Sequence, residues 1–364
     1  MKQVGPIKVL VVDDSPLVRV TLTRELGRHE DLQVVGGAKD PYEARELILA
    51  SHPDVIILDT DMPRMDGLAF LKRLQAHYPV PVIMCSDPSP EGSRAALEAV
   101  ECGAVDVVAK PGGHNREALR RLGGLLAEKI RAAAVAMPRP SPLAPAAARP
   151  PATFRAAGLD PQRYLIALGA STGGTEAIRK VLERLPPDFP PLAMVQHMPA
   201  GFTGAFAARL DGLSRITVGE ATGGDALTPG HAFLARGGQQ MIAHGTPGHW
   251  RLAYDGDQPV NLHCPSVDVL FHSVARTAGR QAVGILLTGM GADGARGLLA
   301  MHQAGAITLA QSRESCVVFG MPKVAIELGA ADHVAPVEDL PRLIVQSLRQ
   351  REQRNARGRV PANS

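Results

Sequence analysis

Ser171 lies in Gly169-Ala170-Ser171-Thr172-Gly173-Gly174, between an apolar run and an amphipathic helical pattern. A serine on a sharp strand-to-helix turn stands clear of its backbone, and small neighbours let a substrate approach. The helix N-terminus also offers unpaired N–H groups to a developing negative charge. A phosphate-cradling loop is the rival reading, weakened because no lysine follows the glycines and no acid suits a ribose. The segment alone does not separate the two. Val195-Gln196-His197-Met198-Pro199 and Leu287-Thr288-Gly289-Met290-Gly291-Ala292-Asp293-Gly294 favour the nucleophile, because each puts a polar side chain just after an apolar run. A hydroxyl attacks only once a base takes its proton. An imidazole can serve as that base, and a carboxylate then fixes its tautomer and stabilises the imidazolium. Ser171, His197 and Asp293 are therefore the expected catalytic set. Their chain order differs from the Ser…Asp…His order of α/β-hydrolases, so a different scaffold is expected.

A second group sits near the N-terminus. Asp13 and Asp14 follow one apolar run, Asp59 a second, Ser86 a third, and Lys110 a fourth, just before Pro111. Three carboxylates held together repel one another unless a cation neutralises them, and Mg²⁺ favours such an oxygen-rich site. The reading is a carboxylate nucleophile with a divalent metal and a lysine clamp, suited to phosphoryl transfer. Any one of these acids could be a helix cap, but five such residues at successive strand ends are hard to obtain that way.

These side chains need scaffolds to hold them. A chain of 364 residues argues for about two domains. With 45% hydrophobic and 21% charged residues, wholesale disorder is excluded. No apolar run approaches the ~18–20 residues of a membrane span. Met1–Val12 has neither a long apolar stretch nor a small-residue cleavage site, so a cytoplasmic protein without membrane insertion is expected. Cys85, Cys102, Cys264 and Cys316 form no Cys-x-x-Cys pair, which argues against a disulfide scaffold or a cysteine-rich zinc site. The net charge of +3 leaves neither globular part basic enough to suggest nucleic-acid binding. Arg349, Arg351, Arg354, Arg357 and Arg359 read as a solvated, frayed tail.

Ala, Pro and Arg dominate from Ala132 to Pro161, with Pro138, Pro140, Pro142, Pro145, Pro150 and Pro151 close together. Proline fixes its own φ and disfavours helix in the residue before it, so this stretch reads as a linker. The expected layout is a domain at 1–130, a linker at 131–162, a domain at 163–348 and a basic tail at 349–364. In the first domain, strands at Val9–Val12, Gln33–Gly36, Val55–Leu58, Val82–Cys85 and Val105–Val108 alternate with helices at Ser15–Gly27, Pro41–Ser51, Gly67–His77, Glu91–Cys102 and Glu117–Arg131. Such alternation favours a parallel sheet covered on both faces. In the second, Tyr164–Leu168, Leu192–Gln196, Arg215–Val218, Val283–Leu287 and Ala306–Ala310 are the strands, and Gly223–Gly256 reads as a hairpin insertion. The fold class is thus α/β in both domains, the second a doubly wound, mostly parallel sheet. Such sheets build sites at the C-terminal ends of their strands.

Val12-Asp13-Asp14-Ser15, Leu58-Asp59 with Met62-Pro63-Arg64-Met65-Asp66-Gly67, and Lys110-Pro111 together resemble the response-regulator receiver domain, over about residues 5–128. The resemblance implies a flavodoxin-like (βα)5 fold. It also implies that Asp59 accepts phosphate from a histidine kinase, that Asp13, Asp14 and Asp59 hold Mg²⁺, and that Ser86 and Lys110 support the phosphoryl group. One departure is Val107, where many receivers carry an aromatic in the fifth strand.

A second resemblance is carried by the Ser171, His197 and Asp293 segments together with Pro265-Ser266-Val267-Asp268-Val269-Leu270-Phe271. Over about residues 163–348 the chain is similar to the catalytic domain of the chemotaxis methylesterases (CheB-type). That implies hydrolysis of glutamate γ-methyl esters on the cytoplasmic domains of methylated chemoreceptors, with methanol released and glutamine deamidation in many members. Ser171, His197 and Asp293 match the family triad, and the backbone N–H groups of Met290 and of a residue such as Thr172 would line the oxyanion hole. No cofactor is implied for the hydrolysis. Cys264 stands where family members often have arginine. Asp268 reads as a helix cap or packing residue, and Met194, Met198, Met290 and Met301 as core or pocket lining. A non-enzymatic signalling adaptor is the alternative reading. A transcriptional regulator is disfavoured because no basic recognition helix follows the linker.

Overall fold

The computed structural model describes residues 5–62, 65–111, 116–136 and 159–357, which fall into two compact units. Pro63, Arg64, the prolines from Pro138 to Pro151, Arg359, and the side chains of Glu117 and Arg357 lie outside the described residues. Among the described residues, no helix is long and apolar enough to cross a membrane.

The first unit runs β1 (Ile7–Val12), α1 (Pro16–Leu26), β2 (Leu32–Ala38), α2 (Pro41–Ser51), β3 (Val55–Asp59), α3 (Gly67–His77), β4 (Val82–Ser86), α4 (Pro90–Glu101), β5 (Asp106–Ala109) and α5 (Arg116–Val135). All strand pairs are parallel, in the order β2-β1-β3-β4-β5. The helices start where the chain provides a cap. Asp40 accepts from the amides of Tyr42 and Glu43, and Asp66 from that of Ala69. Pro16, Pro41 and Pro90 then occupy the first turn, where a missing N–H loses no hydrogen bond. Val9, Val11, Ile57 and Ile83 on the strands meet Leu122, Leu126 and Ile130 of α5 in one buried cluster. Each such side chain contributes about 1.5–3 kcal/mol by leaving water. Every helix named from the pattern is present, with ends shifted by a few residues, the largest shift carrying α5 on to Val135.

The second unit runs β6 (Leu165–Ala170), α6 (Gly174–Leu182), β7 (Leu192–Gln196), α7 (Thr203–Leu213), β8 (Thr217–Glu220), β9 (Ala226–Leu227), β10 (His231–Leu234), β11 (Met241–Thr246), β12 (His249–Tyr254), α8 (Val267–Ala278), β13 (Ala282–Leu286), α9 (Ala295–Gln303), β14 (Ile307–Gln311), α10 (Met321–Glu327), β15 (His333–Ala335) and α11 (Leu340–Arg357). A parallel sheet is ordered β15-β14-β13-β6-β7-β10-β8, and β9, β11 and β12 form a small antiparallel sheet. β6, β7, β13 and β14 are buried along their whole length, as strands covered on both faces must be. The order reverses between β6 and β13, and the crevice beyond the C-terminal ends at such a switch point is where ligands bind in open α/β sheets.

Three readings are corrected. Gly223–Gly256 contains the β11–β12 hairpin, but its β10 joins the main sheet, parallel to both β7 and β8. Neither β10 nor β15 was expected in the main sheet, because β10 offers only the short apolar run Ala232-Phe233-Leu234 inside the segment read as a hairpin and β15 is only three residues long. The arginine-rich C-terminal segment is not a frayed tail. It continues α11 to Arg357, with Arg351 partly buried and donating to the Arg280 carbonyl.

Candidate active site and phosphoacceptor site

β6 and β7 are adjacent and parallel, with Ala170 in register with Gln196. The next residue on each chain is Ser171 and His197, and the His197 amide donates to the Ala170 carbonyl at 3.1 Å. Neighbouring strands lie about 4.8 Å apart, so this register sets the two side chains next to each other at the sheet lip. Both are buried, with 7% and 9% of their surface exposed. Asp293 follows β13, the neighbour of β6 on its other side. Its Oδ2 lies 2.8 Å from His197 Nε2. A carboxylate only accepts, so Nε2 carries the proton and a neutral His197 presents a bare Nδ1. That Nδ1 is buried and has no hydrogen-bond partner among the described residues, as a base waiting for a hydroxyl proton requires.

Glycines shape this lip. A Cβ on Gly174 would lie 2.1 Å from Gln196 Oε1, and one on Gly289 would lie 2.7 Å from Ser171 Cβ and 2.2 Å from Met321 Sδ. Side chains at either position would displace the nucleophile turn. Gln196 Nε2 donates to the Ser171 carbonyl at 2.9 Å, and Thr288 Oγ1 to the Thr172 carbonyl at 3.0 Å. Both ends of the serine turn are thereby fixed.

Asp293 is held more firmly than a triad strictly needs. Its Oδ1 accepts from Asn261 Nδ2 at 2.8 Å, Ser266 Oγ at 2.7 Å and the Asp268 amide at 3.3 Å. Its Oδ2 accepts from the Val267 amide at 2.6 Å as well as from His197. The N-terminus of α8 thus points at the carboxylate, where the helix dipole favours negative charge. Burial alone would raise the Asp293 pKa, but hydrogen bonds from His197, Asn261 and Ser266, with the attraction of His197, hold it well below the usual carboxylate range. Asp268 accepts from the Gly297 amide of α9 at 2.6 Å and from Asn261 at 2.8 Å, so it packs one helix start against another. Burial pushes its pKa up, against those bonds and reinforced by Asp293. Sequence reasoning missed Asn261, Ser266, Gln196 and His263. Ser266 lay inside the Pro265–Phe271 motif and could have been weighed as a donor, whereas Asn261 and His263 lie in a turn without any residue pattern. The His263 ring stacks on His197, with centroids 3.6 Å apart and planes inclined by 14°.

In the first unit, oxygens of Asp13, Asp14 and Asp59 lie within 4.8 Å of one another. Lys110 Nζ reaches Asp13 Oδ2 at 2.8 Å and Asp59 Oδ2 at 2.7 Å. Burial pushes the Asp59 pKa up to about 6, against the pull of Lys110 and with the repulsion of Asp13 added. Burial would lower the Lys110 pKa, but the Asp59 and Asp13 carboxylates hold it above its ordinary value. Ser86 Oγ accepts from Thr60 Oγ1 at 3.0 Å and donates to the Gly92 carbonyl at 3.0 Å. A Cβ on Gly67 would lie 1.9 Å from the Asp59 carbonyl, so only glycine lets α3 start there. Val107 pairs with Met84 and is buried. Three converging carboxylates with an all-oxygen donor set fit a hard divalent cation such as Mg²⁺.

Comparison with known proteins finds a family for each of the two units. Residues 166–344 match the family model of CheB methylesterase, and residues 9–121 that of the response regulator receiver domain. A protein-glutamate methylesterase/protein-glutamine glutaminase 2 of Bordetella avium is 54% identical over 333 residues, covering 91% of this chain and 94% of that relative. A protein-glutamate methylesterase/protein-glutamine glutaminase of Chromohalobacter salexigens is 49% identical over 343 residues, covering 93% and 96%. The crystal structure of the Thermotoga maritima CheB methylesterase catalytic domain is 35% identical, with a TM-score of 0.49, and covers 50% of this chain and 97% of that one.

Proposed function

Since the chain belongs to the CheB methylesterase family, we propose that it is a phosphorylation-controlled serine hydrolase of chemotaxis adaptation. It cleaves glutamate γ-methyl esters on chemoreceptor cytoplasmic domains and deamidates receptor glutamines to glutamate. Ser171 is the nucleophile, His197 the general base and Asp293 its orienting carboxylate. The observation that carries this reading is the buried His197–Asp293 pair, which leaves Nδ1 bare beside the strand end that bears Ser171.

In the reaction, His197 Nδ1 takes the hydroxyl proton as Ser171 Oγ bonds to the ester carbonyl carbon. The charge that forms on the carbonyl oxygen is met by backbone N–H groups, for which Met290 and Thr172 are proposed. The Met290 amide makes no hydrogen bond among the described residues, which supports that assignment. Collapse breaks the ester C–O bond, and the leaving oxygen takes the His197 proton and departs as methanol. Water then attacks the acyl-enzyme, again losing its proton to His197, and Ser171 leaves as the restored hydroxyl. With glutamine as substrate, ammonia departs in place of methanol.

Asp59 is the proposed phosphoacceptor, taking a phosphoryl group from the phosphohistidine of a kinase. Asp13, Asp14 and Asp59 would hold Mg²⁺, which when bound supplies charge neutralisation for that transfer. Lys110 sits within reach of the Asp59 carboxylate and would pair with the added charge. Phosphorylation raises hydrolysis by favouring whichever state the phosphoryl group contacts better. The proposed location is the cytoplasm, where receptor tails and kinase meet. The test is incubation of the full chain and its Ser171→Ala variant with methylated receptor, scoring methanol and ammonia separately, with and without a phosphodonor. Loss of both products in the variant is expected, and retained turnover there would exclude the triad.

A further inference from the structure

We infer that His263 is a positioning residue for the base, stacking on His197 so that Nδ1 faces the nucleophile. This deepens the proposed hydrolase reading and rests on it. Val260 and His263 exchange two backbone hydrogen bonds of 2.9 Å each, which closes a two-residue turn over Asn261 and Leu262. Both turn residues have left-handed backbones, with φ of 52° and 69°, and neither is glycine. Asparagine adopts this conformation readily, but it is costly for Leu262 and persists there only where the surroundings enforce it. Leu262 gains no burial in return, since 78% of its surface is exposed.

The turn instead delivers its neighbours to the catalytic residues. Asn261 Nδ2 bonds the Asp293 carboxylate, and the His263 ring lies flat on that of His197. The His263 carbonyl accepts from Gln240 Nε2 at 2.9 Å, and Gln240 Oε1 accepts the Ser266 amide at 2.8 Å. The same glutamine therefore ties the stacked histidine to the segment that grips Asp293. A ring held only through Nε2 can still pivot about that bond and swing Nδ1 away from Ser171. A face-to-face neighbour 3.6 Å away removes that freedom, because tilting the His197 ring would drive it into His263. The hydrogen bond sets where one nitrogen sits, and the stack sets the plane in which the other points.

The test compares His263→Phe, which keeps a flat aromatic ring, with His263→Gln, which keeps reach and polarity without a ring. Both are made in the full chain with phosphodonor and assayed on methylated receptor, with kcat and KM determined separately and thermal unfolding followed in parallel. A misdirected base at unchanged substrate binding is expected to lower kcat of the Gln variant by about 100-fold, with KM unaltered. The Phe variant is expected to stay within a factor of a few of wild type. Wild-type kcat in the Gln variant would overturn the inference, and so would equal losses in both variants. A Gln variant whose loss of kcat is fully accounted for by a lowered melting point, or a folded Phe variant as slow as the Gln variant, would also overturn the inference. Turnover that persists in Ser171→Ala would overturn the hydrolase reading and this inference with it, whereas loss of turnover in Ser171→Ala together with wild-type kcat in His263→Gln would overturn this inference alone.

Discussion

Replacing Asp293 with asparagine removes one charge and leaves the shape of the side chain unchanged. Five donors converge on its two oxygens, so an amide nitrogen must confront donors in either orientation. With the nitrogen toward His197, Nε2 has to accept, which moves the imidazole proton to Nδ1 and abolishes the base. With the nitrogen turned away, the tautomer survives but the imidazolium loses its counter-charge. At 2.8 Å and an effective dielectric of ~20, that attraction is about 6 kcal/mol, or about 10,000-fold in rate at about 1.4 kcal/mol per tenfold. Both side chains are almost fully buried, so solvent screens little of it. The assay is single-turnover methanol release from methylated receptor by the phosphorylated full chain. The substitution also carries a pH signature. The folded-state pKa of Asp293 is depressed, so its ionisation stabilises the fold above the unfolded-chain value of about 3.9 and is lost as pH falls below it. Wild type should therefore lose stability steeply in acid, and Asp293→Asn should lose less over the same range. A variant within about tenfold of wild-type turnover, or one with an unchanged acid-unfolding profile, would refute the reasoning.

Other outcomes follow from the same geometry. Gly289→Ala drives a Cβ against Ser171 and Met321; it should lower the melting point by an overpacking penalty of about 1–3 kcal/mol and slow hydrolysis, which denaturation and kinetics would read together. Ser266→Ala strips one donor from Asp293 and should cost about 1–3 kcal/mol of stability, measured by urea unfolding, because it leaves a buried carboxylate oxygen less satisfied. Asp59→Asn should abolish phosphodonor stimulation while leaving basal ester hydrolysis in place, and chelation of divalent cations should have the same effect on the wild type.

Much of this was legible in the residues because the chemistry sits at strand ends. Alternating apolar runs and amphipathic stretches located β1 to β5 and β6, β7, β13 and β14, and a polar residue just after such a run falls at the C-terminal lip by construction. Ser171, His197, Asp293, Asp59 and Lys110 could all be found that way. β10 and β15 were hidden because a short strand at or near a sheet edge needs few apolar residues. The arginines of α11 looked like a tail because charge was read without the apolar spacing of Leu340, Ile344, Val345 and Leu348, which buries the helix. Asn261 and His263 were invisible for a deeper reason. Their roles come from a strained turn between two contacts distant in sequence, and neither strain nor stacking leaves a periodic mark. The same holds for Gln196, whose amide braces the serine turn from the neighbouring strand.

The central claim is that His197, oriented by Asp293, makes the Ser171 hydroxyl a nucleophile. The direct measurement is peptide mapping by mass spectrometry after treating the full chain with a fluorophosphonate. The expected result is a single adduct on Ser171 in the wild type that disappears in His197→Ala. An adduct on another residue, or undiminished labelling of Ser171 without the imidazole, would contradict the account.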